Sequence, residues 1–189
     1  MIGRLRGVLV SSRESGIVIE VAGVGYEVAM TTRDLVTLPG IGEEIVVHTH
    51  THVREDAINL FGFGAESDRE LFRILLGASG VGPKVAMALL ASLTSEEIVK
   101  AITGEDPDAL TIAPGIGKRG AQKIVIELGP KLSGREVEIV GGHSLGGVRQ
   151  ALEGLGYSTA EINGVVGSLD PTLPIEEQVR SALQRLGRG

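Results

Sequence analysis

The chain has 189 residues, 42% of them hydrophobic and 22% charged, and a net charge of −6, which is ordinary for a globular protein of one large or two to three small domains. It has no cysteine, which excludes a disulfide framework and a thiolate metal site. No apolar run reaches the roughly 18 residues of a membrane span, and Arg4 and Arg6 interrupt the start too early for a signal peptide. We therefore expect a soluble, cytoplasmic protein.

Residues 1–64 are predicted to form a small β-barrel. Short runs rich in β-branched residues, at 17–21, 26–30 and 45–47, are separated by turns that contain glycine. About five strands in roughly 60 residues favour a closed or partly open barrel. The OB-fold is the commonest nucleic-acid-binding version of such a barrel, and an SH3-like barrel fits the pattern almost as well.

Three histidines alternate near the end of this segment. His48, His50 and His52 would share one face of a strand, an arrangement that can serve a metal ion. Without an acidic or cysteine partner close to them, we expect these histidines to be neutral side chains on an exposed strand face, with no metal site.

Residues 65–132 are predicted to form an all-α domain. Apolar residues recur at spacings of three and four, and Ser95 followed by two glutamates is typical of a helix start. A third helical run, residues 121–128, is predicted to stop at Gly129-Pro130. The segment is therefore interpreted as helices joined by tight turns.

Two of these turns are copies of one sequence. Residues 78–86 (ASGVGPKVA) match residues 113–121 (APGIGKRGA), so that Gly80 corresponds to Gly115 at an offset of 35 residues.

The overall negative charge of the chain argues mildly against a protein that coats nucleic acid. However, the net charge is −3 over residues 1–64 and only −1 over residues 65–134, and cations lie in or just after the glycine turns: Lys84, Lys118, Arg119 and Lys123.

The repeated turn has three interpretations. Residues 115–120 (GIGKRG) match the dinucleotide-binding fingerprint, but that motif requires a preceding strand, and residues 107–114 are typical of a short helix or turn. A phosphate-binding P-loop is excluded, because Arg119 stands where Ser or Thr must bind magnesium. A plain helix–helix connection explains either copy alone, yet it does not explain two copies followed by cations.

The third interpretation, a tandem helix-hairpin-helix, explains both copies. Glycines at 80, 82, 115 and 117 let the backbone turn sharply and approach a ligand, while Val81 and Ile116 plug the turns into the core. The next helix then presents free N–H groups and a positive dipole end to an anion. Two such ends suit two phosphates of a duplex backbone, and phosphate contacts carry no base sequence.

The carboxy-terminal part is predicted to be a linker and a small helical module. Residues 133–147 hold five glycines without sustained period, which indicates a flexible linker. Residues 148–189 fit three short helices, one ending near Tyr157, one starting near Ser158 and one starting at Pro174. So small a module leaves apolar side chains exposed, which favours a docking role.

Five stretches, in order along the chain, together carry a family resemblance: MIGRLRG at 1–7, GVGYEV at 23–28, VREDA at 53–57, GVGPK at 80–84 and PGIGK at 114–118. They resemble the RuvA family, the bacterial subunits that recognise Holliday junctions and take part in branch migration. Helix-hairpin-helix motifs alone are shared by many repair proteins, whereas their ordered combination with the barrel and the terminal module is specific. The resemblance covers essentially the whole chain.

The resemblance implies a homotetramer that holds a four-way DNA junction open and nearly planar, with the hairpins on the backbones of the arms. Whether one tetramer or two, forming an octamer, clasp the junction is left open. It also implies that Arg54, Glu55 and Asp56 form an acidic pin at the junction centre. Two carboxylates per subunit around a four-fold axis would repel phosphates and help to keep the crossover strands apart.

For the terminal module, the resemblance implies contact with RuvB, the hexameric ATPase that moves the DNA, and it adds RuvC resolvase as a further partner. Matching positions make Leu152, Leu155, Tyr157 and Leu183 the apolar contact. The same four residues fit the core of a three-helix module equally well, since so short a module needs core residues. The linker is short for the family and lacks a long acidic stretch.

The sequence thus predicts an α+β multidomain protein: an OB-fold barrel, a tandem helix-hairpin-helix domain and a three-helix module. We expect a non-catalytic DNA-binding subunit with no cofactor and no metal. The best enzymatic alternative is a glycosylase of the helix-hairpin-helix type, which needs a Lys or Asp after the hairpin and a base pocket. Asp is absent from the helices after both turns, and aromatic residues make up only 3% of the chain.

Overall fold

The computed structural model describes residues 1–133, 148, 151–152, 154–166, 169 and 175–187. The strands are β1 (Arg4–Arg13), β2 (Gly16–Val21), β3 (Val24–Met30), β4 (Glu44–Val53) and β5 (Ile58–Phe63). The helices are α1 (Thr32–Val36), α2 (Glu66–Leu75), α3 (Pro83–Ser92), α4 (Ser95–Thr103), α5 (Pro107–Leu110), α6 (Lys118–Leu132), α7 (Thr159–Val166) and α8 (Ile175–Leu186). Within these residues, no helix combines the length and apolar character needed to cross a membrane.

The five strands close into a barrel in the order β1-β2-β3-β5-β4, with β1 also paired to β4. All pairs are antiparallel except β3 with β5, which runs parallel and places Val28 opposite Leu60. The barrel interior is filled by alternate residues such as Leu9, Ile19 and Val47, each at most 1% exposed. This five-stranded Greek-key barrel confirms the OB-fold over the SH3-like alternative.

The barrel and the helical domain share a packed boundary. Phe63, the last residue of β5, belongs to the hydrophobic cluster of the helices, and its ring centroid lies 5.0 Å from that of Phe72 on α2. On the same helix, Arg69 donates from Nη1 to the Gly3 carbonyl at 2.9 Å. These contacts hold the barrel in a defined position relative to α2.

Helix boundaries in the second domain follow local capping. Thr94 accepts from the Glu97 backbone N–H while the Glu97 carboxylate accepts from the Thr94 backbone N–H, forming a capping box at the start of α4. The expected stop of α6 at Gly129-Pro130 is wrong, because α6 continues to Leu132. Leu128 and Leu132 are both fully buried, and their packing holds the last turn in helical form.

The described part of the terminal module forms a separate hydrophobic cluster of Val148, Leu152, Ile162, Val166, Leu169 and Ala182. Gly156 has φ of +92°, and the Tyr157 N–H donates to the Leu152 carbonyl at 3.2 Å, as expected where a helix ends at glycine. Ser158 and Glu161 then cap α7. The predicted linker beyond Ser133, and the predicted helix start at Pro174, lie outside the described residues.

Candidate nucleic-acid interface

The two copies of the glycine turn have the same backbone geometry. Gly80 and Gly115 adopt φ of +85° and +89°, in the left-handed region that favours glycine. Gly82 and Gly117 have φ of −92° in both turns, with ψ of 176° and 170°, and each is the N-cap of the following helix. The repeated sequence is therefore a repeated structure: each copy turns the chain and starts a helix at its second glycine.

The residue between each pair of glycines plugs the turn into the core, as predicted. Val81 and Ile116 are each 8% exposed and belong to the same hydrophobic cluster. The Val81 N–H donates to Ala78 and the Ile116 N–H donates to Ala113, at 3.1 and 3.2 Å. Val81 and Ile116 thus occupy equivalent positions. Packing and one backbone hydrogen bond hold each turn in place.

The helices that follow the turns begin in an unusual way. Neither α3 nor α6 has a side-chain hydrogen bond at its N-cap or an acidic residue in its first turn. By contrast, α1, α4 and α5 are each capped by a Thr or Asp side chain and carry acidic residues in the first turn. The helix dipole favours an anion at an N-terminus, so α3 and α6 present two N-termini that lack a negative partner of their own.

The predicted cations surround these helix starts. A groove of about 190 Å³ between the two turns is lined by Gly80, Gly115, Arg119 and Lys123, among others. Lys84 and Lys118 lie on the first turns of α3 and α6, and the side chains of all four cations are exposed. The tertiary structure thus places Arg119 and Lys123 in one groove with glycines of both turns, while Lys84 and Lys118 lie at the two helix starts. Helix starts of this kind are suited to phosphates of a nucleic-acid backbone.

Arg54, Glu55 and Asp56 form the tip of the hairpin between β4 and β5, and all three are exposed. The Arg54 N–H donates to the Ala57 carbonyl at 2.8 Å and closes the turn, while Arg54 Nε donates to His52 Nε2 at 3.2 Å. A second groove, of about 520 Å³, is lined by Arg54 from the barrel and by Pro83 and Lys84 from the first hairpin. Through Arg54, the base of this tip shares a groove with the first hairpin.

The expectation of an exposed face for the three histidines is wrong, because each is half-buried. The His50 ring centroid lies 5.3 Å from that of Phe72 on α2, in an edge-on arrangement. Burial first, and then the charges of Arg73, His52 and Arg69, lower the pKa of His50 below its ordinary value. No group of three or more His, Cys, Asp or Glu side chains within the described residues is arranged to hold a metal ion.

The dinucleotide-binding interpretation of residues 115–120 lacks its structural context. The element before this turn is the helix α5, whereas the fingerprint requires a strand of a parallel sheet.

The four predicted motor-contact residues differ in exposure: Leu152 is fully buried, Leu155 is 60% exposed, and Tyr157 and Leu183 pack partly against the cluster. Leu152 thus lies in the core of the module.

Comparison with known proteins matches the three parts of the chain to three family models. The RuvA N-terminal domain matches residues 1–62, the SAM-like helix-hairpin-helix tandem matches residues 72–130, and the RuvA C-terminal domain matches residues 146–187. Among full-length relatives, a protein of Halorhodospira halophila is 39% identical over 98% of this chain and 97% of its own length. The chain belongs to the RuvA family.

Two further relatives also match over nearly their whole length. A RuvA protein of Methylibium petroleiphilum is 38% identical over the full length of both chains, and one of Solidesulfovibrio magneticus is 40% identical over 98% of each. All three relatives are named "Holliday junction branch migration complex subunit RuvA". The RuvA resemblance read from the sequence is confirmed.

Sequence reasoning missed one charged residue of this surface. Glu127, on the third turn of α6, accepts a hydrogen bond from the Ser79 backbone N–H at 2.7 Å. The two residues are 48 positions apart, and no local pattern marks a carboxylate that bonds to a distant turn. Only the packing of α6 beside the first hairpin brings them together.

Proposed function

We propose that this RuvA-family protein binds four-way DNA junctions without catalysing a reaction on them and serves as a subunit of a branch-migration complex. The observation that carries the proposal is the pair of glycine-capped helix N-termini, at Gly82 and Gly117, which have no side-chain cap and no acidic residue in the first turn, and which carry lysine there. The names of the relatives support the choice of a junction as the DNA substrate.

Each hairpin binds one segment of the sugar–phosphate backbone. Backbone N–H groups at the starts of α3 and α6 donate to phosphate oxygens, and the glycines permit close approach because they carry no side chain. Lys84 adds charge at the first hairpin, and Lys118, Arg119 and Lys123 add charge at the second. Binding of this kind is independent of base sequence and decreases steeply with salt.

The acidic tip selects the junction. Glu55 and Asp56 are exposed at the tip of a hairpin, next to Arg54, which shares a groove with the start of the first phosphate-binding helix. In a tetramer, four such tips around the symmetry axis repel the phosphates of the crossover strands, which favours an open and nearly planar junction. One tetramer, or two facing each other, can supply this arrangement.

The terminal module recruits and stimulates the motor subunit, RuvB. We assign this contact to the side chains that the module does not bury, Leu155 first, with Tyr157 and Leu183 at the edge of its cluster. In this division of the chain, residues 1–64 form the barrel, 65–132 the DNA-binding domain, 133–147 the linker and 148–189 the motor-binding module. An exposed leucine on a small helical module favours docking to a partner.

A competition experiment tests this function. A labelled four-way junction is bound to the protein and displaced by unlabelled junction or by linear duplex of the same base composition. We expect the junction to compete far better than the duplex, and equal competition would contradict the proposal. The mass of the complex in solution distinguishes a tetramer from an octamer.

The Glu55→Gln/Asp56→Asn double variant, which keeps side-chain size and removes both charges, tests the acidic tip. Because repulsion of phosphates is lost, linear duplex should bind more tightly and the preference for the junction should fall. An unchanged preference for the junction would show that the tip does not select it, while the proposed DNA binding by the hairpins would stand.

A further inference from the structure

Helix α6 makes two contacts with the segment that leads into the first hairpin. Glu127 Oε2 accepts from the Ser79 backbone N–H at 2.7 Å, and Lys131 Nζ donates to the Gly77 carbonyl at 3.4 Å. Residues 77–79 immediately precede Gly80, and α6 itself begins at the second hairpin. A single helix therefore links the two turns that the proposed function uses to bind phosphates.

This link exists for one hairpin only. In the second copy, the position of Ser79 is occupied by Pro114, which has no backbone N–H and cannot donate such a bond. Ser79 is exposed, so its N–H would bond to water if Glu127 did not accept it. The Ser79 N–H is therefore not a buried group that needs this hydrogen bond. The main consequence of the bond is to fix the position of the first turn against α6.

The carboxylate also has an electrostatic effect of the opposite sign. Hydrogen bonds from the Ser79 backbone and side chain, and then the nearby Lys123 and Lys131, hold the pKa of Glu127 below its ordinary value, so the group is ionised at neutral pH. A negative charge beside Lys123 repels phosphates. The hydrogen bond and the charge of Glu127 can therefore be separated by their opposite effects on DNA affinity.

We propose that Glu127 is a positioning residue for DNA binding: by holding the Ser79 N–H, it sets the place of the first hairpin relative to the second and so the spacing of the two phosphate sites. This inference rests on the proposed binding of a nucleic-acid backbone by both hairpins. The negative charge of Glu127 alone would weaken DNA binding, whereas its hydrogen bond to Ser79 supports DNA binding.

Two neutral variants isolate the hydrogen bond. Glu127→Gln and Glu127→Met remove the same charge and have similar length, but only glutamine keeps a strong acceptor. We expect Glu127→Gln to bind a four-way junction at least as tightly as the wild type. Glu127→Met should bind about three- to tenfold more weakly than Glu127→Gln, the range of one neutral hydrogen bond, and the salt dependence should lose about one phosphate contact.

A second substitution tests whether Glu127 acts through Ser79. Ser79→Pro gives the first turn the proline that the second turn has at this position. It removes both donors to Glu127, the backbone N–H and the hydroxyl. In this background, Glu127→Gln and Glu127→Met should bind equally. A difference that persists without the donors would overturn the proposal, as would equal affinity and equal salt dependence of the two variants with Ser79 intact.

The outcome is separable from the proposed function. If the wild type prefers the junction and the two neutral variants do not differ, the function stands and the role of Glu127 fails. If the wild type does not bind junctions, amide hydrogen exchange still decides the structural part, because the Ser79 N–H should be protected in Glu127→Gln and exchange freely in Glu127→Met. Equal unfolding temperatures of the variants exclude a general loss of structure.

Discussion

The two hairpins share a backbone but differ in their surroundings. Their glycines have nearly equal dihedral angles, and their plugs are equally buried. The first, however, leads into an apolar helix with Lys84 as its one cation, and Glu127 holds the residue before it. The second leads into a longer helix whose first turn carries Lys118 and Arg119. The comparison shows that the repeat specifies the turn, while the flanking residues set the charge around each helix start.

The largest expected effect concerns the plugs. Ile116→Ala should lower the free energy of unfolding by about 3 kcal/mol and Val81→Ala by about 2 kcal/mol, because each leaves a cavity in the shared core. Ile116→Val gives the second hairpin the plug of the first and should cost only about 1 kcal/mol. Denaturant unfolding measures all three. A cost near zero for Ile116→Ala would mean that the second turn does not depend on its plug.

The next effect separates the hairpins by charge. The double variant Lys118→Ala/Arg119→Ala should weaken junction binding by roughly 30-fold and remove about two phosphate contacts from the salt dependence, whereas Lys84→Ala should remove about one. Both losses should be the same for any base sequence. Lys100→Ala, an exposed cation outside both hairpins, is the matched control. Fluorescence anisotropy over a salt series measures these values, and a sequence-selective loss would contradict backbone binding.

The glycines should show that the turns are equivalent. Gly80→Ala and Gly115→Ala should each destabilise the protein by about 1–2 kcal/mol, because a side chain is disfavoured at positive φ. Gly82→Ala and Gly117→Ala have ordinary φ and open space around the added carbon, so the stability should change little while junction affinity falls. Thermal unfolding and junction titration separate the two classes. Unequal losses of stability in the Gly80→Ala and Gly115→Ala variants would show that the two turns are not equivalent.

The smallest effect is a difference in pH response. The pKa of Glu127 is lowered in the folded protein from an ordinary value of 4.5. The stability that the ionised carboxylate contributes is therefore present above that value and is lost as the pH falls through the lower folded pKa. The Ser79 amide resonance should titrate in this acidic range. The Ile116 amide should not, because it donates to the Ala113 carbonyl. Two-dimensional NMR from pH 6 to pH 3 makes the comparison.

Much of the site was readable from the sequence because its signals are local. The 35-residue offset between Gly80 and Gly115, with a cation after each turn, predicted the hairpins and the residues around them. Strand positions followed from runs such as residues 17–21. The predicted end of α6 is wrong, since Gly129-Pro130 is a local stop signal that the burial of Leu128 and Leu132 overrides.

Contacts between distant residues were not readable. The half-burial of His50 depends on α2 covering its strand face, and Leu152 lies in a core that several helical residues of the module create together. The bond from Ser79 to Glu127 joins two segments 48 residues apart. Each of these outcomes depends on how elements pack, and no period or motif in one segment encodes the partner that another segment supplies.

By itself, the sequence determined that this chain has a small barrel, two copies of one glycine turn and an acidic tip, because glycine placement, apolar period and charge act over a few residues. Only the tertiary structure decided that Arg119 and Lys123 line a groove with both turns, that Arg54 lines a second groove with Lys84, and that Glu127 accepts a hydrogen bond from the first turn. The physical reason is that packing of buried side chains, such as Val81 and Ile116 in one core, sets distances between elements that local preferences leave free.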